Sequence, residues 1–155
     1  MLLASLLAGS IALLGIVVPA TSAAGDQEQD AIKPAPRAKH PRENTYMKRQ
    51  WGVEVLFVRQ TSAGYMLEFR YKVLDAEKAA PLFDRQVKPM LTHTESGATL
   101  IVPTPAKTGA LRNSNPPIAG NTYWMFFANP GKLVEPGDTV SIAIGEFRVA
   151  DLIVE

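Results

Sequence analysis

Chemistry in this sequence would have to start at His93, the one histidine between residues 50 and 155. Nucleophilic catalysis needs a hydroxyl or thiol beside a base that a third group orients. Serines stand at 62, 96, 114 and 141, none of them in a G-x-S-x-G elbow, and the chain has no cysteine. His93 lies just before the turn Glu95-Ser96-Gly97, where a solvated histidine is ordinary. Glycoside hydrolysis needs two carboxylates facing each other across a cleft. Among Glu54, Glu68, Asp75, Glu95, Asp138 and Glu146 the sequence sets no pair apart. Glu54 and Glu68, on adjacent predicted strands beside Arg59 and Arg70, read as cross-strand ion pairs. Phosphate cradles of the G-x-x-x-x-G-K-[ST] and G-x-G-x-x-G kinds are absent. The expectation is a protein without a catalytic constellation and without a cofactor.

Metal binding is the sharper rival. Imidazole and thioether suit copper, and the candidate ligands are His40, Met47, Met66, Met90 and His93. In "MLTH", however, Met90 and His93 stand three residues apart, so a regular strand points them to opposite faces. Met66 reads as an adaptable packing residue. Met90 and His93 are thus weak metal candidates, and a copper carrier is the second reading of function.

The elements that must position these groups begin after two other segments. "MLLASLLAGSIALLGIVVPATSAAG" has an uncharged apolar run from Leu2 to Val18, then Pro19 and small residues. It reads as a secretory signal peptide over residues 1–24, or as an anchor if it is not cleaved. Either reading places the rest of the chain in the periplasm or outside the cell. Residues 25–49 carry Pro34, Pro36 and Pro41 with few large apolar groups, the composition of a disordered tether. The folded domain is expected over residues 50–155.

That domain alternates. Trp51, Val53, Val55 and Phe57 mark one strand; Tyr65, Leu67, Phe69, Tyr71 and Val73 line a second, with Met66, Glu68, Arg70 and Lys72 opposite. The intervening "TSAG" is a turn in which Gly64 can take positive φ. Asp75 can cap a short helix before Pro81. "QVKPMLTH", with Pro89 favouring an edge, "ATLIVP", "TYWMFFA", "TVSIAIGEF" and "RVADLIVE" complete the strands. About seven strands with Gly and Pro turns and at most one short helix indicate an all-β, immunoglobulin-like antiparallel sandwich.

Charge is almost balanced, 16 Lys and Arg against 15 Asp and Glu, and aromatics do not interleave with a basic stripe. A nucleic-acid partner is therefore not expected. A protein partner is, because "TYWMFFA" is apolar on both faces. Trp124 and Phe126 are assigned to the core. Tyr123, Met125 and Phe127 would then form an outward patch, covered by the chain itself or by a partner. Arg112, Asn113 and Asn115, on the long Pro-rich connection 103–120, would form its polar rim. Oligomeric state is not legible.

"WGVEVLFVRQTSAGYMLEFRYKVLD", "YWMFFANPGK" and "GEFRVADLIVE" together resemble a family of small exported bacterial proteins with no established activity. The resemblance spans most of residues 51–155 and implies a secreted single domain. It assigns no functional residue. The function expected is that of a non-catalytic binding or adaptor domain of the bacterial envelope.

Overall fold

The strand with the clearest alternation sets the frame. The computed structural model describes residues 41–155. In it, strand β2 (Met66–Val73) buries Leu67, Phe69, Tyr71 and Val73 almost completely. β1 (Val53–Thr61) pairs with β2 as an antiparallel hairpin, closed at Ser62–Gly64, where Gly64 adopts φ +92°. β5 (Thr122–Ala128) pairs with the other side of β2, giving a three-stranded sheet of order β1-β2-β5.

A second antiparallel sheet runs β4-β3-β6-β7. Its strands are β3 (Met90–His93), β4 (Thr99–Ile101), β6 (Thr139–Ile144) and β7 (Phe147–Ile153). Leu91, Leu100, Val140, Ile142, Ile144, Phe147 and Val149 are buried against the first sheet's inner residues. Among the described residues, seven strands in two antiparallel sheets make the expected all-β sandwich. Pro89 does not mark an edge, because β3 lies between β4 and β6. The strand begins only at Met90, so the missing proline N–H falls outside the ladder. The C-terminus closes one flank: Glu155 N donates to Val58 O at 2.9 Å, and Gln60 N donates to Glu155 O at 2.8 Å.

Helix α2 (Ala76–Ala79) is capped as the sequence suggests, with Asp75 Oδ1 accepting from Glu77 N and Lys78 N. A 3-10 turn over Ala80–Phe83 follows and buries Leu82 and Phe83.

The tether reading fails at its C-terminal end. Residues 41–49, assigned to it, belong to helix α1 (Pro41–Trp51). Proline is tolerated in the first turn of a helix, whose N–H groups have no intrahelical partner. Met47 and Trp51, four residues apart, share one helical face. Met47 is buried, and Trp51 meets Phe147 edge-on at 5.7 Å. Burying Met47 contributes about 1.5–3 kcal/mol, enough to hold a helix whose other side is polar. Lys48 and Arg49 sit in the last turn, where cations favour the helix end. Gly52 ends the helix at φ +60°; a Cβ there would lie 2.6 Å from Asp75 Cβ. The domain therefore starts at residue 41 or earlier. The signal segment and the rest of the tether lie outside the described residues. No helix among the described residues is long and apolar enough to cross a membrane.

Candidate functional site

Register decides which face of β5 is available. Tyr123, Met125 and Phe127 stand opposite Tyr71, Phe69 and Leu67 of β2, all on the inner face. They are 6%, 1% and 0% exposed. The aromatic patch expected on the surface is thus core. Phe83 covers its outer end, T-shaped to Tyr123 at 4.7 Å, and the Tyr123 hydroxyl accepts from Ile118 N at 2.8 Å. Trp124 and Phe126, assigned inward from the sequence, point outward and are partly exposed. The cause is the partner strand: Arg70 and Glu68 of β2 stand opposite them, and charged groups take the solvent side.

That outer face is tightly knit. Glu68 is 2% exposed although it faces outward. Arg59 Nη2 reaches its Oε2 at 2.7 Å, and Arg70 pairs with its Oε1. Both guanidinium groups lie over the Phe57 ring, at 4.8 Å and 5.5 Å. The expected cross-strand pairing holds for Glu68. Glu54 instead pairs with Lys48 of α1 at 2.7 Å.

The 103–120 connection lies along the edge of β5 rather than over its face. Phe126 N donates to Leu111 O, and Asn113 N donates to Trp124 O. Asn113 Oδ1 accepts from Trp124 N at 2.9 Å. Arg112 turns the other way and is buried. Its guanidinium donates to Val87 O at 3.0 Å and to Asp84 O, tying the 84–87 segment to the loop. Burial lowers the Arg112 pKa from the usual arginine value; Tyr71 and Asp84 oppose that shift, and the neighbouring cation Arg85 adds to it.

Two adjoining hollows flank this guanidinium. One, of about 350 Å³, is lined by Arg85, Val87, Lys88, Ile101 and Thr104 besides Arg112. The other, of about 430 Å³, shares Arg85 and Arg112 and runs past Thr108, Asn113, Ser114 and Asn115. Neither lining contains a carboxylate. Among the described residues, Arg85, Lys88 and Arg112 have no carboxylate within ion-pair distance. The expected rim residues Arg112, Asn113 and Asn115 therefore do come together. They line this cleft instead of framing an aromatic patch. Arg85 and Lys88 join that lining, although nothing in "FDRQVKP" ties them to a loop some twenty residues on.

Met90 and His93 separate as the alternation requires: Met90 is 44% exposed on the outer face and His93 is buried. His93 has other neighbours. Its Nδ1 lies 2.8 Å from Ser96 Oγ, and its Nε2 lies 3.3 Å from Asp138 Oδ2. The order Ser–His–Asp copies the connectivity of a hydrolase triad. Ser96 Oγ, however, also accepts from Ala98 N at 3.3 Å, the bond of a hydroxyl that closes a turn.

No family model, curated protein or solved structure matches this chain.

Proposed function

We propose that this protein is an exported, non-catalytic binding domain of the bacterial envelope that holds an acidic segment of a partner protein in the Arg85–Arg112 cleft. One observation carries the reading: among the described residues, Arg112 is buried without a carboxylate at ion-pair distance, beside two more cations, Arg85 and Lys88, that have none either. A buried cation is usually paired, because removing it from water costs several kcal/mol. The two backbone carbonyls that Arg112 holds supply dipoles, and the Asp84 carboxylate acts on it only from beyond ion-pair distance. A carboxylate entering the cleft would complete the neutralisation and find a guanidinium already fixed in place.

Apolar contact is available beside the charge. Ile101, 61% exposed, and Val87 line the same hollow. Asn113 links the cleft to the outer face of β5, since it lines the second hollow and is bonded to the Trp124 backbone. A partner segment with acidic and aromatic or aliphatic side chains would meet complementary groups along this path. Export rests on the apolar N-terminus read from the sequence.

The test reverses charge on the two exposed cations. Arg85→Glu with Lys88→Glu leaves Arg112 and the core untouched, so the folded state is expected to persist. Capture of an acidic envelope protein by the wild-type chain should weaken with added salt and be lost in the double variant. Capture that is indifferent to both changes would remove the basis of the proposal.

A further inference from the structure

The second cluster of chemistry lies in the hairpin at the end of β3, apart from the cleft. His93 ends that strand, Glu95 sits in the following turn, and Asp138 directly precedes β6. Backbone bonds fix the arrangement. His93 N donates to Ala98 O and Gly97 N to His93 O, each at 2.9 Å, while Thr94 N donates to Thr139 O at 2.9 Å. Asp138 is held as well: its Oδ2 accepts from Glu135 N at 2.8 Å, and its carbonyl accepts from Val154 N.

The His93 side chain is buried, 6% exposed, and its Nε2 has no hydrogen-bond partner among the described residues. It stands 3.3 Å from Asp138 Oδ2, within contact range but without hydrogen-bond alignment. Leaving a buried polar atom unmatched is costly. Nδ1, by contrast, is engaged by Ser96 Oγ at 2.8 Å. If Nδ1–H is the donor in that contact, Nε2 carries its lone pair toward the two carboxylates. This is the tautomer that a metal ion requires, and the orienting second bond is the kind metal-ligating histidines make.

We propose that His93 Nε2, Asp138 and Glu95 bind one divalent transition ion, with zinc as the best fit. The ligand atoms of the three residues lie within 4.8 Å of one another. Two ligands each about 2.0 Å from a tetrahedral ion are about 3.3 Å apart, the separation found between His93 and Asp138. Glu95 is exposed and free to swing onto the third position. One imidazole and two carboxylates suit zinc better than calcium, which takes oxygen ligands only, and leave a fourth position to water. Ser96 acts as a positioning residue through Nδ1. Copper held by His93 and Met90 is a different site, and their opposite orientations separate those two groups.

Equilibrium dialysis of the untagged full chain against zinc chloride, followed by metal analysis, tests this. The expected result is one zinc per chain. His93→Gln should abolish uptake, Asp138→Asn and Glu95→Gln should each weaken it at least about tenfold, and Ser96→Ala should weaken it about tenfold. Circular dichroism would verify the fold of each variant. Should His93→Gln not fold, the two carboxylate variants decide the matter, Glu95→Gln foremost because Glu95 is exposed. The proposal is overturned if the folded wild type takes up no zinc. It is equally overturned if uptake survives in the folded variants and disappears in His40→Gln, which would locate the metal on the N-terminal segment.

Discussion

Tyr123 and Trp124 are neighbours in sequence and lie on opposite sides of the first sheet. Tyr123 is 6% exposed and packs against Phe83, whereas Trp124 stands outside, beside Phe126 at 5.0 Å between ring centroids. The two aromatic faces of β5 therefore do different work. The inner one supplies the core, and the outer one roofs the surface next to the Arg59–Glu68–Arg70 cluster.

The difference has a measurable size. Phe127→Ala removes a fully buried ring and should cost about 3–5 kcal/mol of unfolding free energy. Trp124→Ala acts on a partly exposed side chain and should cost about 1 kcal/mol. Urea denaturation of both variants measures the contrast. Equal losses would mean that the face assignment is wrong.

Asn129 should be the most sensitive polar position. It is 0% exposed. Its Nδ2 donates to Gly64 O at 2.9 Å and Val134 O at 2.8 Å, and its Oδ1 accepts from Val134 N at 3.0 Å. The side chain thus ties the β1–β2 turn to the exit from β5. Each buried group left unmatched costs about 1–3 kcal/mol. Asn129→Ala should therefore lower stability by roughly 2–5 kcal/mol. Asn129→Asp should do at least as much harm, because a carboxylate turns acceptors toward two carbonyls. Thermal melts order the two variants.

Alkaline conditions should weaken the fold through Tyr71. Burial raises its phenol pKa above the ordinary value near 10. Below pH about 10 the phenol is protonated in both folded and unfolded chains, so it adds no pH dependence. Above that, the unfolded chain releases a proton that the folded chain retains. Stability then falls as pH rises, by up to about 1.4 kcal/mol per pH unit, until the folded phenol also ionises. Tyr71→Phe should remove this part of the slope while keeping the ring. Denaturation midpoints at pH about 9 and about 11 provide the comparison.

The strands of β2 and the hairpin it forms with β1 were legible because one face of β2 is apolar and the other is charged. β5 offered no such contrast. Its faces become distinguishable only once Glu68 and Arg70 are known to stand opposite Phe126 and Trp124, a pairing between residues more than fifty positions apart. Trp124 and Phe126 turn outward because the residues paired with them, Arg70 and Glu68, are charged. Helix α1 was hidden because only Met47 and Trp51 mark its buried face, and the prolines upstream gave it the look of a linker. The long 103–120 connection stands out in the sequence by its prolines and its lack of periodicity. Arg112 reaches from it to the backbone of Asp84 and Val87, a contact without any sequence periodicity. For Asn129 the only sequence cue was the turn signal "NPG", and that does not reveal a buried hydrogen-bond hub.

On the proposal above, the Arg85–Arg112 cleft receives an acidic segment of a protein partner. Site-specific photo-crosslinking in intact cells tests it most directly. The crosslinking residue is placed at Asn115, in the cleft wall, or at Arg148, exposed on β7. The expected result is an adduct with one acidic protein from position 115, lost when Arg85 and Lys88 are both changed to Glu, and none from position 148. Adducts from position 148 with none from position 115 would contradict it.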